Sequence, residues 1–198
     1  MERADWNRKH GEAGRLFGAE PNRFLVAEVE GLNPGRALDL ACGAGRNAVW
    51  LAEQGWTVTG VDFSDVGLAS AAELAADRGV EVDWIDADLR TWEPPAGAFD
   101  LVAVLYLQIP AEERRVVLAR AAAALAPGGT LLVVGHDLQN LNGGYGGPKS
   151  PEVLLTPDEV AAELPGLEIE RAERVLRPVE TDEGEAQAID TLVRARRP

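Results

Sequence analysis

The sequence predicts an α/β protein: a Rossmann-like, doubly wound sheet of seven mostly parallel strands, with helices on both faces and a C-terminal antiparallel hairpin strand. Three observations predict it. From residue 36 onward, short runs rich in Val, Ile and Leu alternate with longer amphipathic segments, the rhythm of βα units whose strands are covered on both faces. The first apolar run opens directly into a glycine-rich turn and a helix, LDLACGAGRNAVWLAEQG (38–55). The last third changes character, ending in two strand-like runs around the acidic turn TDEGE (181–185), the pattern of a hairpin.

The elements follow in order. ALDLA (37–41) is the first strand, then TVTGVD (57–62), VEVDWID (80–86), FDLVAVLY (99–106) and TLLVVGH (130–136). Helices are expected over 46–54, 65–78 and 112–126, and Pro127-Gly128-Gly129 supplies the stop after the third. Thr156-Pro157-Asp158-Glu159 reads as a helix start, with a capping hydroxyl, proline in the first turn and acids that suit the dipole. That helix should end near Pro165-Gly166, before the strands LEIERAERVL (167–176) and AQAIDTLVRA (186–195). Residues 1–30 read as one or two helices carrying Leu16, Phe17, Phe24, Leu25 and Val29 near the carboxyl edge of the sheet.

Composition excludes several classes of function. The 198 residues suit one compact domain, and 46% hydrophobic with 26% charged residues is ordinary for a globular chain. With 19 basic against 33 acidic residues the net charge is −14, a poor match to nucleic acid or an anionic membrane. Cys42 is the only cysteine, so no intrachain disulfide can form, and with only His10 and His136 beside it no Cys/His zinc site is expected. The N-terminus has no apolar signal core, and no apolar stretch reaches the about 20 residues needed to span a bilayer. The expectation is a soluble protein of the reducing cytoplasm, without metal.

The glycine-rich turn carries the chemistry. Gly43 and Gly45 let the backbone turn sharply and let a ligand approach it, and the helix that follows offers free N–H groups. The third position of a dinucleotide fingerprint is Ala48, which breaks that pattern and argues against a nicotinamide oxidoreductase. Asp62 ends the second strand and is placed to accept ribose hydroxyls. Asp88 follows the third strand, where an acid can reach an adenine edge, with Phe63 and Leu89 placed to flank the ring. Asp39 stands just before the turn, where it can meet an ammonium group. A ligand with an ammonium, a carboxylate and an adenosine is S-adenosyl-L-methionine.

These motifs resemble class I S-adenosylmethionine-dependent methyltransferases. The matching stretches are LDLACGAG (38–45), VDFS (61–64), DADL (86–89), FDLVAVLYLQIP (99–110) and LAPGGTLLVVGHD (125–137), in the family's order. Trp6-Asn7-Arg8, GRNAVWLAEQGWTVTGVDFS (45–64) and the GHD ending are similar to the small bacterial tellurite-resistance and thiopurine-methyltransferase-like enzymes. The resemblance implies cofactor contacts at Asp39, Ala41, Gly43, Gly45, Asn47, Asp62, Phe63, Ser64, Asp88, Leu89, Leu105 and, from a helical cap over 1–30, Trp6. It implies a small-molecule substrate with a thiol, selenol or chalcogen oxyanion as nucleophile, oxygen or nitrogen being the alternative. No nucleic-acid or membrane partner is implied, and the chain is expected to be a monomer or homodimer.

His136 and Tyr106 are the catalytic candidates. His136 closes the fifth strand at the edge where such sheets bind ligands, and an imidazole suits proton removal near neutral pH. Asp137 is adjacent to it as a possible orienting group. Tyr106 follows the fourth strand in LYLQIP (105–110), where an amino-methyltransferase of nucleic acids would carry an N/D-P-P-Y type motif. Cys42 reads as a small buried residue, not a nucleophile. DLQNLNGGYGGPKSP (137–151), with four glycines around Tyr145, reads as a lid over the substrate. Asn7, Arg8 and Arg15 are placed with Trp6 on the opposite wall. The competing class is a protein that holds the cofactor without turnover.

Overall fold

The computed structural model describes residues 2–13, 18–181 and 184–198. Among them, one sheet contains seven strands: β1 (Arg36–Leu40), β2 (Thr57–Asp62), β3 (Asp83–Asp86), β4 (Phe99–Leu105), β5 (Leu125–His136), β6 (Glu168–Thr181) and β7 (Gly184–Arg196). Their order is β3-β2-β1-β4-β5-β7-β6. β7 runs antiparallel to both β5 and β6, and the remaining pairs are parallel. The mostly parallel sheet with a terminal hairpin is as the sequence predicts.

Side-chain alternation on the strands divides the core into two layers. On one face Val102, Val104, Leu131 and Val133 pack with Val117 and Leu118 of α5 (Ala111–Ala124) and Val160 of α6 (Pro157–Ala162). On the other, Leu101, Ala103, Leu132 and Val134 pack with Leu25 of α2 (Arg23–Val29) and with Ala48 and Leu51 of α3 (Arg46–Glu53). α4 (Asp65–Arg78) joins that second layer, Leu74 and Ala75 meeting Val49 of α3. α1 (Arg3–Ala13) lies against α4. Helix ends follow local chemistry: Asn22, Ser64 and Thr156 accept backbone N–H groups as caps, and Gly79 closes α4 in the left-handed region.

The observed boundaries differ from expectation in three places. β3 begins at Asp83, not residue 80, because the Val80 N–H closes α4 by donating to Ala75. Residues 125–129, read as a helix end and stop, join β5, with Leu125 paired to Phe99 and Gly128 at φ +79°. The hairpin is longer than its apolar runs: β7 pairs with β5 only as far as Asp190, while β6 and β7 continue together to Thr181 and Gly184. It therefore projects beyond the carboxyl edge of the sheet. Pro178 is accommodated because β6 is an edge strand. Leu16 and Phe17, placed in the N-terminal helical reading, lie outside the described residues, as do Arg15 and the centre of the acidic turn. No described helix is long and apolar enough to cross a membrane.

Candidate functional site

Ala41 and Tyr106 are the two non-glycine residues with positive φ among the described residues, at +60° and +57°. Each follows directly on one of two adjacent strands, β1 and β4. Left-handed backbone costs a residue with a Cβ about 1–2 kcal/mol, and such strain concentrates at functional sites. The turn after Ala41 continues through Gly43 at φ +54° and Gly45 at φ +78°. Gly45 is the N-cap of α3 and provides no side-chain cap, which leaves the helix amides open to an anionic ligand group. Gly45 also has a packing reason: a Cβ there would stand 2.6 Å from the Ala71 Cβ and 2.8 Å from Trp84.

Two acids meet at this turn. Asp39 is 1% exposed; the Ala48 amide donates to its carboxyl, while Oδ2 has no partner. Burial, with Asp62 nearby, pushes Asp39 up to about 7. Asp62 accepts the Gly43 N–H at 2.9 Å and the Ser64 N–H at 2.8 Å, so it pins both the glycine turn and the start of α4. Burial raises its carboxyl too, against the pull of those amides. Each Asp62 oxygen keeps a second lone pair, which fits ribose hydroxyls. The orphaned Asp39 oxygen, the open α3 amides and the twin acceptors of Asp62 suit an ammonium, a carboxylate and a ribose in turn.

Other predicted contacts have structural commitments of their own. Ser64 caps α4 through Gly67 and donates its hydroxyl to Asn7. Asn47 accepts the Asn22 N–H at 2.8 Å and thus joins the start of α2 to α3. Asp88 is held by Arg90 through both oxygens, which lowers its carboxyl below the ordinary range. Leu89 and Leu105 are buried, and Phe63 is half-buried. Trp6 stands on α1 with its ring 6.0 Å from that of His10 and Lys9 over its face. His10 is a residue that sequence reasoning missed: 4% exposed, Nδ1 without a partner, its ring edge 3.4 Å from where a Gly43 Cβ would stand. Burial holds its imidazole toward the neutral form. α1 is fastened by Arg3 on Asp86 and Asn7 on Asp65. Cys42 is buried, and burial raises its thiol, in keeping with an inert residue.

At the ends of β4 and β5 a second group assembles. His136 and Tyr106 bring their rings to 4.9 Å. Between them lies Asp190 of β7, 0% exposed, directly opposite His136 in register. The Tyr106 hydroxyl donates to Asp190 Oδ2 at 2.7 Å, and Arg177 Nε of β6 donates to the same oxygen at 2.7 Å. His136 Nδ1 lies 3.2 Å from Asp190 Oδ1, within ion-pair reach but off the alignment of a strong hydrogen bond. Burial would raise Asp190, yet His136, Arg177 and Tyr106 together hold it below the ordinary value. Burial and the Asp190 charge raise the Tyr106 phenol, which keeps it a donor and not a base.

Asp137 does not orient His136. Its oxygens are taken by the Gln139 N–H, the Thr191 hydroxyl and Arg174, because consecutive strand residues point to opposite faces. The loop after it docks on the hairpin: the Tyr145 N–H donates to the Gln187 carbonyl, and Asn140 accepts the Ile189 N–H. Gly147 lies on His136, where a Cβ would stand 2.9 Å from Nδ1. Asp190 and Arg177 were not legible as site residues, since both lie in strands whose alternation alone does not say which strand faces β5. A surface concavity lies elsewhere, at the amino ends of β2 and β3 among Val58, Ala75 and Val82. It holds no group suited to the chemistry. No cluster of metal-ligating residues occurs among the described residues.

The strand order is that of a methyltransferase fold: a SAM-dependent methyltransferase from Methanosarcina mazei matches with a TM-score of 0.68 at 17% identity over 90% of this chain and 98% of that one. Residues 37–129 match the family model described as "Methyltransferase domain". The ribosomal RNA small subunit methyltransferase C of Alcanivorax borkumensis is 34% identical over 134 residues, 62% of this chain and 39% of that protein. The demethylmenaquinone methyltransferase of Thermus thermophilus is 39% identical over 103 residues, 51% of this chain and 47% of that one. The chain thus spans less than half the length of these two relatives. TehB from Haemophilus influenzae shares the fold, with a TM-score of 0.75 at 16% identity over 96% of this chain and 67% of that one.

Proposed function

We propose that this chain transfers a methyl group from S-adenosylmethionine to a small-molecule acceptor bound between His136, Tyr106 and the loop 137–151, with residues 1–30 as the cap on the cofactor side. One observation carries the reading: His136 stands at the carboxyl edge, braced by a fully buried carboxylate, one strand away from the strained end of β4. When bound, S-adenosylmethionine supplies a methyl group already activated on a positively charged sulfur. The chain's own residues hold and orient. Asp39 and the α3 amides receive the amino-acid end, Asp62 the ribose, and the region of Phe63, Asp88 and Leu89 the adenine. Loop 137–151 covers the acceptor and excludes water. His136 takes the acceptor's proton where it has one to lose.

The demethylmenaquinone methyltransferase supports a small acceptor by its name, and the net charge of −14 disfavours nucleic acid. A thiol, selenol or chalcogen oxyanion is the nucleophile that the sequence resemblance favours. The test is release of S-adenosylhomocysteine against thiols, selenite, tellurite, catechols and simple amines, with product masses recorded. Product from any member supports the reading. Tight cofactor binding with no product from an extended panel would replace it with a cofactor-holding protein.

The buried Asp39 gives a pH signature. A carboxyl raised to about 7 in the fold keeps a proton that the unfolded chain has released. The ligand-free protein should therefore lose stability as pH rises from about 4 to about 7, by up to roughly 1.4 kcal/mol per unit. A bound ammonium favours the carboxylate, so cofactor affinity should rise over the upper part of that window. Asp39→Asn should reduce both slopes and weaken binding, as read by urea denaturation and by titration with S-adenosylhomocysteine. Unchanged slopes in the variant would remove Asp39 from the cofactor's ammonium.

A further inference from the structure

We infer that Asp190 is a positioning residue of the acceptor site: it fixes His136 with the proton on Nδ1 and Nε2 open, which makes the site one built for a hydroxyl acceptor. The inference rests on the proposed methyl transfer and names its substrate class. Asp190 is opposite His136 in the β5–β7 register, is 0% exposed and places Oδ1 3.2 Å from Nδ1. A carboxylate there calls for a proton on Nδ1. Nε2 makes no hydrogen bond to any described residue and keeps its lone pair.

The charged and titratable neighbours on β4, β6 and the covering loop support this polarity. Arg177 from β6 and the Tyr106 hydroxyl from the end of β4 both donate to Asp190 Oδ2, which keeps the carboxylate ionised and turns Oδ1 toward the imidazole. Asp137, next along the chain, is occupied by Arg174 and Thr191. From the covering loop His136 meets Gly147, and Lys149 is directed to the Gly146 carbonyl. A thiol or selenol ionises near neutral pH and gains little from such a base. An alcohol or phenol gains most: its O–H bond breaks, the proton passes to Nε2, and the oxygen's electron pair forms the bond to the methyl carbon as the carbon–sulfur bond breaks and its pair leaves on the sulfur of S-adenosylhomocysteine. The imidazolium is stabilised by Asp190 and returns its proton to water.

The direct test is the ring-nitrogen NMR spectrum of the wild-type protein, with and without S-adenosylhomocysteine. With two histidines in the chain, His136→Gln identifies the signals. The Nδ1–H tautomer is expected for His136 in the wild type, and its loss is expected in Asp190→Asn. An Nε2–H tautomer in the wild type overturns the proposal without any variant and without any turnover. In kinetics with a catechol, Asp190→Asn should lower kcat at least tenfold with the acceptor KM little changed, and Asp190→Glu should recover part of it. Transfer to thiols with all hydroxyl acceptors inert would overturn the substrate class. Failure with every acceptor would instead sink the proposed function and leave the tautomer result standing.

Discussion

Replacing His136 with alanine is expected to lower kcat for a hydroxyl acceptor by about 10²–10⁴-fold, the usual contribution of a positioned base. Affinity for S-adenosylhomocysteine should not change, because the groups that fit the cofactor are Asp39, the α3 amides and Asp62, on other strands and turns. The fold should survive the change. Asp190 stays paired with Arg177 and Tyr106 when the imidazole is gone, so no buried charge is orphaned. A thiol acceptor should lose far less rate than a catechol, since its anion forms without help. Single-turnover rates on both acceptors check this. Equal losses on the two would show that His136 shapes the site and does not move a proton. Alanine at Tyr106 makes a useful contrast, for its raised phenol is a donor to Asp190 and its loss should act through geometry.

Replacing Arg114 with alanine is expected to destabilise the protein by about 3–5 kcal/mol, as breaking one side of a buried ion pair does. Arg114 in the first turn of α5 grips Glu163 at the end of α6 with two bonds, Nε to Oε2 at 2.9 Å and Nη2 to Oε1 at 2.8 Å. Their side chains are 4% and 6% exposed. Without Arg114 the carboxylate is left beneath the surface with only Arg115 at 3.4 Å, a side chain that is 60% exposed. Domains of this kind have about 5–15 kcal/mol of stability in all, so the loss is a large fraction. The double variant Arg114→Met with Glu163→Leu should recover most of it, since replacing a buried pair with apolar groups is often neutral. Urea denaturation of the wild type, Arg114→Ala and the double variant measures both. A loss of under about 1 kcal/mol for Arg114→Ala would class the pair with surface salt bridges. α6 follows loop 137–151 in the chain, so the pair holds in place the helix into which that loop leads.

The strand–turn–helix proposed to hold the cofactor was legible in the sequence because it is local. Asp39, Gly43, Gly45 and the start of α3 are one continuous strand–turn–helix, and Asp62 ends the next strand in register beside it. Backbone strain at Ala41 was not legible, since alanine has no special preference for the left-handed region and only the closed turn forces it there. The proposed acceptor half is non-local. His136 and Tyr106 could be placed at strand ends, but Asp190 and Arg177 lie 54 and 41 positions beyond His136 and reach it only because β7 inserts between β5 and β6. His10 shows the same limit: nothing in its helix indicates that it will stand over Gly43.

By itself, then, the sequence determined the βα alternation, the glycine turn, the acids that frame it and the terminal hairpin, because hydrophobic period, turn chemistry and capping act within a few residues. Which carboxylate meets which imidazole was decided only by the tertiary structure. Adjacent residues on a strand face opposite ways, so Asp137, the neighbour in sequence, turns away to Arg174 and Thr191. Asp190, distant in sequence but opposite in register, takes its place beside His136.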